Sequence, residues 1–237
     1  MIFKPLRVLK DYGGTRITLG RDFKAGTYLI EKSVTTDDAF VFQLWQNERK
    51  FYQGHRHPNI LKFYGEGQSS LSFLTEYAPF GNVISFLTEN PSESVLWKFI
   101  GHLLSSVRYL HATGTVHNDI SPDNLLVCEH QTCKLSDFAM TGRIGSPAFP
   151  DRPATFRMGT EGFRLKADIR EHQLDNDIYA LGEVLSLMLR TILDDPTQAG
   201  GTGVDRIAHV AGRCITCRYT SIDQIIADLE LSLPGNI

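Results

Sequence analysis

The sequence predicts an α+β fold in two parts, a small sheet-rich part with one helix and a larger, mainly helical part. Three observations predict it. Short polar–apolar alternations punctuated by glycine turns fill about the first 75 residues. From Ser92 onward, apolar residues recur at steps of three and four. Later, Asp177 to Leu193 is apolar on nearly every side, as a helix buried inside a helical body must be. A chain of 237 residues buries about 70% of its unfolded surface and needs no disulfide or metal to hold it.

Arg16 to Leu19 alternates as a strand does, and Thr27 to Val34 is a second strand-like run. Gly13-Gly14 and Lys24-Ala25-Gly26 mark turns around them. A helix is predicted over Asp37 to Gln53, with acidic residues in its first turn, where the dipole favours them. Leu71 to Tyr77 reads as a strand, closed by Pro79-Phe80-Gly81. Leu96, Ile100, Leu103, Val107 and Leu110 form the apolar stripe of a helix that starts at Ser92 and ends near Thr113-Gly114. Two short strands follow, around Leu125–Cys128 and Cys133–Leu135. The polar, Gly/Pro-rich stretch Thr141–Thr160 reads as one long loop, and loops that long in a compact domain are usually functional. After the buried helix, Asp194–Gly203 is a loop, and helices from Val204 and from Ser221 complete the chain.

Twenty-four Lys and Arg against 27 Asp and Glu give a net charge of −3, which rules out a polybasic nucleic-acid or membrane binder as the leading reading and leaves room for local basic patches. No apolar run reaches the roughly 18 residues that span a bilayer. Lys4, Pro5 and Arg7 interrupt the apolar start, so no signal peptide is expected, and the protein is expected to be soluble and cytoplasmic. Cys214 and Cys217 have metal or redox spacing, but Cys128 and Cys133, five apart, match that pair loosely; all four read as buried thiols in a reducing compartment.

The chemistry concentrates in His117-Asn118-Asp119-Ile120-Ser121-Pro122-Asp123-Asn124 and Ser136-Asp137-Phe138. The two short strands between Asn124 and Asp137 form a hairpin that brings these residues together. Two oxygen ligands converging there suit magnesium held on substrate phosphates. Asp119 is then available to accept a proton from an attacking hydroxyl.

This pattern resembles the catalytic and metal-binding loops of the eukaryotic protein kinase family, and the resemblance extends over almost the whole chain. It implies the two-lobed kinase fold, with a small lobe over residues 1–77 and a helical lobe over 78–237 forming one kinase domain. It implies Asp119 as catalytic base and Asn124 and Asp137 as metal ligands. Lys32 resembles the strand lysine that holds the phosphates, and Glu48, 16 residues on, the helix glutamate that holds that lysine. Leu74-Thr75-Glu76-Tyr77-Ala78 looks like the hinge, with Thr75 as gatekeeper and the Glu76–Ala78 backbone bonding adenine. Ile17 aligns with the valine that follows the glycine-rich loop, and adenine would lie between Ile30 above and Leu126 below. Phe63, Tyr52, Phe138 and His117 are expected to stack as the regulatory spine. Gly159-Thr160-Glu161-Gly162-Phe163 resembles the end of the activation segment, Asp177-Ile178-Tyr179-Ala180-Leu181-Gly182 the start of the central helix, and Cys217-Arg218-Tyr219-Thr220 the late arginine motif. The implied cofactors are ATP and magnesium, and the implied partner is a protein substrate phosphorylated on serine or threonine.

The chain departs from the pattern in places. Lys10-Asp11-Tyr12-Gly13-Gly14-Thr15 stands where G-x-G-x-x-G belongs, so the glycines are displaced and Tyr12 takes the central position. Ala139 replaces a glycine, Asn118 an arginine that meets an activation-loop phosphate, and Ser121 a lysine that neutralises the transferring phosphate. Leu165-Lys166-Ala167 replaces Ala-Pro-Glu, with Asp168 as a substitute partner for Arg218. The predicted enzyme is therefore slow. Two alternatives follow from the same residues: a pseudokinase that acts as a nucleotide-binding or scaffolding module, and a small-molecule kinase of the same fold. Plainer readings apply elsewhere. His55 and His57 are loop histidines, Trp45 and Trp97 are packing residues, and Arg152, Arg157, Arg164, Lys166 and Arg170 read as a solvated surface, with binding of an acidic substrate or an anion as the alternative.

Overall fold

The computed structural model describes residues 2–147, 171–193, 202–231 and 233. The small part is a five-stranded antiparallel sheet of β1 (Phe3–Tyr12), β2 (Thr15–Asp22), β3 (Tyr28–Val34), β4 (Phe63–Glu66) and β5 (Ser72–Glu76), ordered β1-β2-β3-β5-β4. Strands β1 and β4 are additions to the sequence expectation: β1 is exposed beyond Phe3, and β4 is four residues long, so neither shows the alternation of a half-buried strand. Gly13 and Gly14 close β1 onto β2 with φ of 65° and 75°. A two-residue turn of this hand needs positive φ at both positions, which glycine supplies at no steric cost.

Register decides which residues share the face turned to the cleft, because directly opposed residues in an antiparallel pair point the same way. Lys10 opposes Ile17, Ile17 opposes Lys32, and Lys32 opposes Phe73. Leu19 opposes Ile30, and Ile30 opposes Thr75. The other face carries a separate small core of Phe3, Leu29 and Leu74 with Tyr64 against it.

Helix α1 (Ala39–Gly54) lies against the sheet and buries Leu44, Trp45, Glu48, Phe51 and Tyr52. Its first turn contains no acid; instead Asp38 caps it from outside, accepting the amides of Phe40 and Val41. The cap satisfies orphan N–H groups directly, which favours Asp at that position over the turn itself.

The helical part contains α2 (Val83–Glu89), α3 (Glu93–Ala112), α4 (Leu174–Leu193), α5 (Thr202–Ile215) and α6 (Ile222–Asp228). Ser92 caps α3 as expected. Helix α2 is too short to show a period in the sequence. Gly182 allows α4 and α5 to touch: a Cβ there would lie 2.7 Å from the Cys214 Cβ and 2.8 Å from the Ala211 carbonyl oxygen. Between α3 and α4 run β6 (Thr115–Val116), β7 (Leu125–Cys128), β8 (Thr132–Leu135) and β9 (Gly142–Arg143), with β7 paired to β8 and β6 to β9. Strand β9 falls at the start of the predicted long loop. The rest of that loop from residue 148, the segment Gly159–Phe163, the residues Leu165, Lys166, Ala167 and Asp168, and the basic set from Arg152 to Arg170 lie outside the described residues.

Cys128, Cys133 and Cys214 are buried free thiols, and burial pushes Cys128 and Cys214 up to about 12. Cys217 is exposed, contrary to the expectation for all four, because it lies in the turn beyond the end of α5. Trp45 is buried, and Trp97 bonds Glu93 on its own helix, so both pack as expected. His57 stacks on Tyr109 and accepts the Asn59 amide.

Burial lowers His55, His57 and His117 from their usual value and pushes His102 down to about 4, where Lys98 adds to the effect. His102 accepts the Cys133 amide through Nδ1. A group that binds its proton less tightly when folded draws the chain toward unfolding as it protonates. The melting temperature is therefore expected to fall as pH drops from about 6.5 towards 4. His102→Asn keeps an acceptor but cannot take up that proton, so melting curves across this range should show a shallower decline for the variant.

Candidate active site

Strand β3 carries Lys32 into the cleft and α1 brings Glu48 to meet it. The Lys32 ammonium ion-pairs with Glu48 and lies 3.2 Å from Asp137. Burial alone would push Lys32 down, but the two carboxylates outweigh it and raise it, so Lys32 is a cation. Burial pushes Glu48 up to about 7, with Lys32 opposing the rise. Burial would also raise Asp137, yet Lys32 outweighs it and holds that carboxyl below the usual range.

The β7–β8 hairpin pairs Leu125 with Leu135, and Ser136 donates its amide and hydroxyl to the Asn124 carbonyl, at 2.8 and 3.0 Å. Asn124 is thereby set one residue away from Asp137. The Asn124 amide nitrogen donates to the Asp119 carbonyl at 2.8 Å and to its carboxylate at 3.1 Å. Its side-chain nitrogen is thereby committed to Asp119.

Asp177 fixes the loop that carries Asp119. It is fully buried at the start of α4 and accepts the amides of His117 and Asn118 at 2.9 and 2.8 Å, with His111 Nε2 at 3.0 Å. His117 donates Nε2–H to the Ser136 carbonyl and accepts the Asp119 amide at Nδ1. That pattern requires the neutral ring, which burial favours. Its ring meets Phe138 edge-on at 4.9 Å; Phe138 meets Tyr52 at 5.3 Å, and Tyr52 stacks on Phe63 at 6.1 Å. The four predicted stacking residues thus run continuously from the helical part to β4.

Two asparagines hold the segment after Asp137. Asn47, beside Glu48 on α1, donates to the Ala139 and Thr141 carbonyls, each at 2.8 Å. Asn118 donates to the Met140 carbonyl between them at 3.1 Å and accepts from Asn176 at 2.9 Å. Asn118 also contacts His172 and adopts φ of 62°, a left-handed conformation that asparagine tolerates. Ala139, in place of glycine, packs its methyl against Leu44 and Met140. Sequence reasoning did not single out Asn47; its position one residue before Glu48 was the available signal.

Around the hinge, Thr75 is buried, while Ile17, Ile30, Ala78 and Leu126 are half-buried. The Glu76 side chain turns out of the cleft to Lys134 at 2.7 Å. Among the described residues, no three of His, Cys, Asp and Glu cluster as a metal site, and no helix is long and apolar enough to cross a membrane.

Residues 20–208 match the family model described as protein kinase domain. The chain belongs to the protein kinase family. Its α+β architecture is the two-lobed fold of that family, with β1–β5 and α1 as one lobe and the helices as the other. The chain is 29% identical over 176 residues to CBL-interacting protein kinase 26 of Oryza sativa subsp. japonica, covering 68% of this chain and 35% of that protein. It is 30% identical over 144 residues to the human hormonally up-regulated neu tumor-associated kinase, covering 59% and 20%. It is 28% identical over 150 residues to CBL-interacting serine/threonine-protein kinase 2 of Arabidopsis thaliana, covering 56% and 30%. The kinase domain thus spans about a third or less of the length of these relatives.

Proposed function

We infer that this domain, with a small lobe over residues 1–77 and a helical lobe over 78–237, transfers the terminal phosphoryl group of ATP to serine or threonine hydroxyls of protein substrates in the cytoplasm, and does so slowly. The observation that carries this reading is the joint presence of the Lys32–Glu48 pair, Asp137 within reach of Lys32, and Asn124 bonded to Asp119. Lys32 would hold the phosphates and Glu48 would hold Lys32. Ile17, Ile30, Thr75 and Leu126 would enclose adenine, with the Glu76–Ala78 backbone bonding its edge. The donor set suits magnesium: one carboxylate from Asp137 and the amide oxygen of Asn124 are hard oxygen ligands, with phosphate oxygens completing the shell. Bound there, magnesium would supply charge neutralisation to the phosphates. Asp119, oriented by Asn124, would take the proton of the attacking hydroxyl. Transfer of labelled phosphate from ATP to generic protein substrates tests the reading; a folded, ATP-binding protein that transfers none would reject it.

A second reading, a nucleotide-binding scaffold without transfer, draws on the displaced glycines: Gly13 and Gly14 form the hairpin tip, and Lys10 and Tyr12 stand at the first two glycine positions. Loss of nucleotide binding on removing magnesium separates the two, because a scaffold need not bind through the metal.

Activity is expected to be independent of activation-segment phosphorylation. Asn118 is neutral, buried and committed to Met140, Asn176 and His172, so a phosphate nearby would gain no charge-assisted bond from it. Thr141 is itself buried, with its hydroxyl given to the Phe138 carbonyl. Phosphatase-treated and untreated protein should transfer phosphate equally; abolition of activity by phosphatase would contradict this.

A further inference from the structure

The cleft face of the sheet carries a second lysine. Lys10 on β1 opposes Ile17, which opposes Lys32, so the register sets the three side chains in a row across one face. Tyr12, two residues further on, shares that face, and the Lys10 ammonium lies 4.2 Å from the centroid of its ring. The ring restrains a long and exposed side chain by cation–π attraction. Among the described residues Lys10 makes no ion pair within 4.0 Å. In the turn that follows, Tyr12 opposes Thr15 and two glycines close the hairpin, so the glycines sit at its tip and not at the positions of Lys10 and Tyr12. A cationic and an aromatic side chain therefore occupy two positions at which glycine lets a backbone approach a phosphate closely.

We propose that Lys10 is a phosphate ligand of the bound nucleotide, supplying a side-chain charge where glycine would let backbone amides approach. The inference rests on the kinase reading, since ATP is the polyanion concerned. A lysine suits the task because its ammonium is a point charge on a flexible stem, able to reach oxygens that the backbone at this position does not approach. Lys10 from β1 and Lys32 from β3 would then flank the phosphates, and Tyr12 would act by holding Lys10 in place.

Calorimetric titration with magnesium-ATP and with adenosine, which lacks phosphates, tests this. Lys10→Met should weaken ATP binding about tenfold, the worth of one charge-assisted contact, and leave adenosine binding unchanged. Lys10→Arg should bind ATP as the wild type does. Lys24→Met, which removes one exposed charge from the β2–β3 turn, should also match the wild type. Wild-type ATP affinity in Lys10→Met would overturn the role of Lys10 and leave the kinase reading standing. Equal losses in Lys10→Met and Lys24→Met would mark a general charge effect and overturn it too. Loss of adenosine affinity in step with ATP would move the effect to the adenine side and reject the phosphate assignment. A folded wild type that binds neither ligand would reject the kinase reading together with the proposal.

Discussion

Asp119→Asn is expected to bind magnesium-ATP as the wild type does while transfer falls by roughly 100-fold or more, because the substitution removes a proton acceptor and leaves Asn124 and Asp137 in place. Asp137→Asn should fail differently. It removes the one carboxylate of the proposed metal set and the partner of Lys32 at 3.2 Å, so transfer and the magnesium dependence of binding should collapse together. Labelled-phosphate transfer and nucleotide titration, each with and without magnesium, read the two variants side by side. Wild-type transfer no greater than that of Asp119→Asn, in a folded protein that binds ATP, would reject the enzyme reading in favour of a scaffold.

Asp177→Asn should lower global stability by about 3 kcal/mol or more. The carboxylate is fully buried and accepts two backbone amides and the His111 ring nitrogen. An amide side chain offers one oxygen in place of two and turns its own N–H groups toward donors, so at least one buried N–H loses its acceptor. Chemical denaturation measures the loss. Because Asp177 holds the backbone of His117 and Asn118, the catalytic loop should also show faster amide exchange than the rest of the helical lobe. A variant as stable as the wild type would mean that water replaces the lost acceptor at no cost.

Much of the architecture was legible in the chain itself. The helix from Ser92 and the buried helix through Asp177 are long enough for their apolar periods to be unmistakable, and capping chemistry marked where α3 begins. The short elements were not legible. Strands β1 and β4 and helix α2 carry too few buried residues, or too few residues, to show a period. Cys217 could not be distinguished from its buried neighbours, since spacing does not report where α5 ends.

The order and identity of motifs along the chain determined the family and the set of candidate residues, because phosphoryl transfer restricts residue type at each position: an acceptor, oxygen ligands and a cation. What those residues touch was decided by tertiary structure. The Lys32–Glu48 and Lys32–Asp137 contacts join positions 16 and 105 residues apart, and the chain alone carries no distance between them. The strand register that puts Lys10 on the same face as Lys32 is likewise a property of paired strands, since a slip of one residue would turn Lys10 to the other side. So is the hold of Asn47 and Asn118 on three successive carbonyls, which depends on α1 and the catalytic loop packing on either side of residues 139–141.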